Sequence, residues 1–392
     1  MPTASTVYIF IIINKEEPAM RLVCNSAALL EGLQTASRAR TTRTTNPILE
    51  GLLLDARMGQ LRITASDERL TILTRVDCEI SEAGKGVIPG KLFIDIGRRL
   101  QDNPTIELSM NERFVFNIVS GASVMNVAGQ DADLYPALPS LSESSEFTLL
   151  QDSLRDMIEK TEFAIAADDA REVLTGALLE ISGGDVTMVA LDGFRMAYKR
   201  EKVSDVLDVI RAIIPGRAVG DIGKLLPGGE DAFVTLAFSG NNRLQVRLAK
   251  TDIYVTLIGG EYINYRRLLP SSFKVRAVAN VEPLRQCIDR AALLAREGST
   301  NLIRFHMHDS LLEIESNSQL GDAHEEMMLE ELEGGELTIS FNVRYMMDVV
   351  RTIDSEKLVM NFTDSLSPCV ITPADDLDYV HLVLPVRTGY SA

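Results

Sequence analysis

The chain is poor in cysteine. Its four thiols, Cys24, Cys78, Cys287 and Cys369, lie far apart and form no CxxC pair. That excludes a zinc ribbon or a disulfide framework and fits a reducing, cytoplasmic setting. No apolar run approaches the roughly 18 residues of a membrane span, so a soluble protein without membrane contact is expected. Basic excess is missing too. The formal charge of −17 argues against a surface that coats nucleic acid everywhere, though not against a local basic patch.

The constellations of common catalytic centres are also absent. Gly216 to Lys224 does not fit the GxxxxGK[ST] spacing of a phosphate loop. Met328 stands where a zincin helix beginning at His324-Glu325 needs its second histidine. There is no GxSxG elbow, and no cysteine has a histidine nearby in sequence. Asp168-Asp169 reads as an exposed turn. His306 and His308 would share one face of a strand, but no third ligand is evident. No metal, cofactor or catalytic residue is therefore expected.

What is present is ordinary globular composition, 46% hydrophobic and 24% charged over 392 residues, enough for two or three cores at roughly 150 residues each. Residues 1–19 read as an extension, either a leftover segment or an extra edge strand. Val7 to Ile13 is apolar but short for a signal-peptide core, and Lys15-Glu16-Glu17 follows it.

The main signal is repetition. Gly86-Val87-Ile88-Pro89-Gly90-Lys91 leads to Asp95, and Ala212-Ile213-Ile214-Pro215-Gly216-Arg217 leads to Asp221, 126 residues on. Leu337-Thr338-Ile339-Ser340-Phe341-Asn342 leads to Asp348, a further 127. A second block keeps the same period: Leu61–Asp67, Val186–Asp192 and Leu312–Ser318 follow at offsets of 125 and 126. The chain reads as three copies of one domain, with bounds 20–142, 143–272 and 273–392.

Within each copy, apolar spacing predicts a first helix (Ala27–Arg40, Ser153–Phe163, Pro283–Arg296) and a second (Lys91–Leu100, Gly216–Leu225, Val343–Ile353). Alternating strands surround them, including Arg113–Val119, Arg243–Leu248 and Tyr379–Val383. Turns are signalled at Met58-Gly59-Gln60 and Ser182-Gly183-Gly184-Asp185. The expected class is α+β with antiparallel sheets. The six predicted helical spans sum to a charge of +6 within an acidic chain. Two readings follow: a helix-lined face that approaches phosphates, or basic residues complementing helix C-termini.

Asn46-Pro47-Ile48-Leu49, Ala190-Leu191-Asp192-Gly193-Phe194-Arg195-Met196-Ala197, Tyr265-Arg266-Arg267-Leu268-Leu269-Pro270, Phe341-Asn342-Val343, Thr363-Asp364-Ser365 and Val383-Leu384-Pro385-Val386-Arg387 stand out. Together these stretches resemble the bacterial sliding clamp family, the beta subunit of DNA polymerase III. The similarity runs from Met20 to about Arg387.

The resemblance implies a non-catalytic processivity factor: a head-to-tail homodimer closing as a ring around double-stranded DNA, helices inside and sheets outside. Contact with DNA would be independent of base sequence and would map to Arg43, Lys91, Arg171 and Arg217. A cleft for short peptides of the replicative polymerase, the clamp loader and other partners would use Leu174, Gly193, Arg195, Met196, Ile263, Arg267 and Leu268. Leu366, Pro368, Leu384, Pro385, Val386 and Arg387 would complete it. Met125, Leu293 and Leu294 would lie at the dimer interface. The pattern is departed from at Phe194, where a histidine is common, at Ile263 (proline) and at Val386 (methionine). Two other readings remain at this point: an enzyme with a site at a domain junction, and a repeat scaffold that binds only proteins.

Overall fold

The computed structural model describes residues 19–41, 45–139, 141, 144–168, 170–203, 209–229, 231–298 and 301–387. Residues 1–18, all but the last residue of the predicted 1–19 extension, and Arg43 lie outside that set.

Each repeat opens with a strand that runs straight into a helix. Met20–Asn25 leads to α1 (Ser26–Ser37). After α2 (Gly90–Arg99), Ser144–Leu150 leads to α3 (Gln151–Glu159). After α4 (Gly216–Leu225), Val275–Asn280 leads to α5 (Val281–Ala295), and α6 (Val343–Arg351) follows. The junctions have local causes. Asn25 caps α1 by accepting from the amide of Ala28 at 3.0 Å, which satisfies one of the otherwise orphaned first-turn donors. Asn342 does the same for Arg344 at 2.9 Å at the start of α6, where α2 and α4 instead follow Pro89 and Pro215. One strand-to-helix junction thus has two sequence solutions.

Helices pack in pairs within each repeat, α1 on α2, α3 on α4 and α5 on α6. Leu29 and Leu33 of α1 and Phe93 of α2 are fully buried. Gly32 lets α1 lie close on the sheet, since a Cβ there would sit 2.6 Å from Val76 Cγ2. The strand pairs beneath are antiparallel, with period-two burial as in Leu302–His308.

The chain forms two compact units, one of residues 1–140 with 247–254 and one of residues 141–246 with 255–392. In the first, Ser123–Ala128 is an edge strand, followed inward by Val115–Ser120, Thr105–Met110, Met20–Asn25 and Leu70–Glu82. In the second, Arg195–Lys202 of the middle repeat pairs with Tyr379–Val383 of the last, Arg195 opposite Val383 and Lys199 opposite Tyr379. Main-chain hydrogen bonds therefore join two repeats in one nine-stranded sheet. A four-stranded sheet has the order Gly321–Met328, Leu311–Ser318, Leu302–His308 and Leu337–Asn342.

Both predicted turns are present, with positive φ at Met58 and Gly59 and at Gly183 and Gly184, as tight hairpins require. The helix bounds differ from expectation in a way that matters. Arg38 and Arg296 are C-caps, Lys160 caps α3, and Arg40 lies beyond α1. With observed bounds the helices carry −1, +2, −2, +1, 0 and +1 in order, a total of +1. The predicted +6 is corrected: most of that charge sits at or just past helix C-termini, where the macrodipole favours it. The predicted strand Arg113–Val119 is Val115–Ser120, because Arg113 and Phe114 form a turn closed by Asn111.

Candidate functional site

The sequence Asp192-Gly193-Phe194-Arg195 connects strands Asp185–Leu191 and Arg195–Lys202. Asp192 Oδ1 accepts from the amides of Phe194 (2.9 Å) and Arg195 (3.0 Å), a side chain standing in for a backbone turn. Gly193 has φ +89°, a conformation costly for any residue with a Cβ. The turn lifts Phe194 into solvent, where its ring stacks on Tyr345 at 6.1 Å.

Arg195 is pulled the other way. Its guanidinium donates to Asp192 Oδ2 (3.0 Å), Asp348 Oδ2 (2.5 Å) and the carbonyl of Phe163 (2.6 Å). It also lies over the rings of Phe163 and Tyr345, at 5.3 and 4.6 Å. Burial, with Asp192 nearby, raises the Tyr345 pKa.

Beside this turn is a largely apolar cavity of about 240 Å³. Leu191, Gly193, Phe194, Arg195, Met196, Ile263 and Leu268 line it from the middle repeat, and Pro368, Leu382 and Leu384 from the last. The C-terminal stretch is held there by the Leu384 amide, which donates to the Phe194 carbonyl at 2.8 Å. Met196 is 1% exposed and forms the floor, while Phe194 (59%) and Leu268 (40%) form an exposed apolar rim.

Of the sequence-derived cleft residues, Gly193, Arg195, Met196, Ile263, Leu268, Pro368 and Leu384 meet here. Leu174 does not line the cavity; it is fully buried in the core behind, packed with Leu191, Met196 and Leu382. Arg267, Leu366, Pro385, Val386 and Arg387 are not among the cavity's lining residues, although Leu366 is exposed. Arg171, expected to contact DNA, is among the residues lining this cavity. Leu382 and Phe194 were not singled out as cleft residues by the sequence. The pairing of Arg195–Lys202 with Tyr379–Val383 is what delivers Leu382, and no local pattern announces it.

Lys91 and Arg217 are exposed at the starts of α2 and α4, and Arg217 lies 3.7 Å from Asp221. Their counterpart in the third repeat is Arg344, exposed at the start of α6; the repeat phase could have found it. A cation at a helix N-terminus opposes the macrodipole by about 0.3–1 kcal/mol. Complementing the dipole therefore explains the basic C-termini but not these three positions.

Met125 is half-buried on the edge strand Ser123–Ala128, next to the exposed Val124. On α5 Leu293 is 66% exposed and Leu294 half-buried. Asp168 is exposed in a bend, and Asp169 lies outside the described residues. The absence of a third ligand for His306 and His308 is corrected: Glu313 Oε2 lies 3.8 and 3.5 Å from their Nε2 atoms.

The tandem architecture and its cleft define a clamp-type protein of three successive domains. Family models describe them in order as the N-terminal, central and C-terminal domains of the DNA polymerase III beta subunit, matching residues 20–139, 148–264 and 266–387. The beta sliding clamp of Staphylococcus epidermidis is 34% identical over 365 residues, 91% of this chain and 96% of its own length. The DNA polymerase sliding clamp of Bacillus subtilis superposes with a TM-score of 0.90 at 28% identity, covering 94% of this chain and all of that one. A putative DNA polymerase III beta subunit from Eubacterium rectale gives 0.89 at 31% identity, with the same coverage. The chain belongs to the DNA polymerase III beta subunit, or beta sliding clamp, family.

Proposed function

We propose that this protein is a DNA sliding clamp, a non-catalytic processivity factor that encircles duplex DNA in the cytoplasm as a head-to-tail homodimer. The observation that carries the reading is the ordered match of all three beta-subunit domains along one chain. A ring turns repeated encounters between polymerase and template into an effectively intramolecular one. Head-to-tail contact closes a ring when the rotation per subunit is right. The exposed Leu293 and the edge strand carrying Met125 are suited to that contact, because pairing would remove an unprotected sheet edge.

Sequence-independent holding of DNA needs charges that meet phosphates without reading bases. Lys91, Arg217 and Arg344, placed alike in the three repeats against the helix dipole, take that role here, and Arg43 is kept from the family pattern. Arg171 is reassigned to the cleft. The cleft takes hydrophobic anchors of short peptides from the polymerase, the clamp loader and other partners, with Phe194 and Leu268 at its mouth.

The experiment is retention on circular against linear duplex DNA after loading, with mass measured by light scattering. A dimer kept on circles and lost from linear ends is expected. Equal loss from both substrates would overturn encirclement.

A further inference from the structure

The exposed face of the four-stranded sheet gathers three of the chain's four histidines around one carboxylate. Alternation sends Ile303, Phe305 and Met307 into the core and turns His306 and His308 outward. The two-residue hairpin at Asp309-Ser310, with φ of 48° and 63°, sets the register that puts His306 opposite Glu313.

The ring orientations are consistent with one purpose. His306 Nε2 and His308 Nε2 both point to Glu313 Oε2, and the three atoms lie within 4.8 Å of one another. The far nitrogen of each ring is engaged: His306 Nδ1 lies 2.7 Å from Thr338 Oγ1, and His308 Nδ1 3.3 Å from Asp309 Oδ2. Both contacts suit an Nδ1–H donor and leave the Nε2 lone pair free, the arrangement that orients metal-ligating imidazoles. Glu336 Oε1 stands 3.6 Å from His306 Nε2.

We propose that His306, His308 and Glu313 bind a divalent transition metal ion of the zinc type, with solvent in the fourth position. Two imidazoles and a carboxylate suit zinc, whereas calcium and magnesium take oxygen ligands. Bonds of about 2.0–2.1 Å in a tetrahedron put ligand atoms about 3.4 Å apart. The two imidazole–carboxylate separations of 3.5 and 3.8 Å therefore need only slight contraction, and the ligand atoms of the two histidines, within 4.8 Å, must close to the same spacing. His324 approaches the opposite oxygen of Glu313 only to 4.0 Å and bonds instead to Glu326 at 2.9 Å; it stands outside the site.

The test is titration of the full, untagged chain with zinc chloride by calorimetry, and with cobalt(II) by visible absorption. One zinc ion per chain and a four-coordinate cobalt spectrum are expected. The His306→Ala/His308→Ala pair and Glu313→Gln should each weaken binding about tenfold or more, with His324→Ala leaving it nearly unchanged. A His306→Gln/His308→Gln pair, which keeps side-chain bulk on the sheet, must behave as the alanine pair does. No saturable binding, tight binding retained in either pair, or loss with His324→Ala alone would overturn the site.

Discussion

Arg195 of the middle repeat donates to Asp348 of the last across 2.5 Å. Asp348 is the third member of a repeated series. In the first two copies the same carboxylate serves its own helix, Asp95 beside Arg98 at 3.4 Å and Asp221 beside Arg217 at 3.7 Å. In the third it reaches out to Arg195 of a neighbouring repeat, itself a residue of the cleft wall. Arg195 is thus a brace whose charge is already spent on protein acceptors.

Asp348→Asn should lower stability by about 1–3 kcal/mol, because Arg195, 11% exposed at its side chain, keeps Asp192 but loses its second carboxylate. Denaturant unfolding checks this. No change in midpoint would show that Asp192 and the Phe163 carbonyl hold the guanidinium unaided.

Phe194→Ala should weaken a polymerase-derived peptide about tenfold while leaving the melting midpoint in place, since the ring is 59% exposed. Fluorescence polarisation with a labelled peptide measures it. Met196→Ala is a poorer probe: that side chain is 1% exposed, and truncating it should cost about 2–5 kcal/mol of stability as well. Unaltered affinity in Phe194→Ala would remove Phe194 from the binding surface.

Lys91→Gln, Arg217→Gln and Arg344→Gln combined should shorten retention on circular DNA and flatten its salt dependence by about one counterion-release increment per lost contact. Thermal stability should hold or rise, because each change removes a cation from a helix N-terminus. Unchanged salt dependence would mean that these positions do not meet phosphates.

His381 is fully buried between Phe163 and Tyr379, and desolvation lowers its pKa to about 3. The folded state therefore keeps it neutral while the unfolded chain protonates it near 6.5. Stability carries no penalty above that pH and falls progressively as pH drops from 6.5 towards 3. His308 and His324, whose pKa values are raised by neighbouring carboxylates, act in the opposite sense. They contribute stability that is present below 6.5 and lost as pH rises through their folded values. His381→Phe keeps them and should flatten the acid limb of denaturant midpoint against pH. An identical slope in both proteins would assign acid sensitivity elsewhere.

The threefold period, the class of each element and the turns at Met58-Gly59 and Gly183-Gly184 were written in the order of residues. Period-two and period-3.6 burial and positive-φ glycines are local properties that need no partner to be read. Helix ends were less legible, because a basic residue after the last turn looks like part of the helix until the cap is seen; that displaced Arg38, Lys160 and Arg296. The placement of Glu313 opposite His306 was within reach, since the Asp309-Ser310 turn fixes its register. The cleft's full lining, the turning of Arg195 to Asp348 and the burial of Leu174 depended on which distant strands pair. Register between Arg195–Lys202 and Tyr379–Val383 is set by the sum of many contacts across nearly two hundred residues of chain, and only the folded molecule decides it.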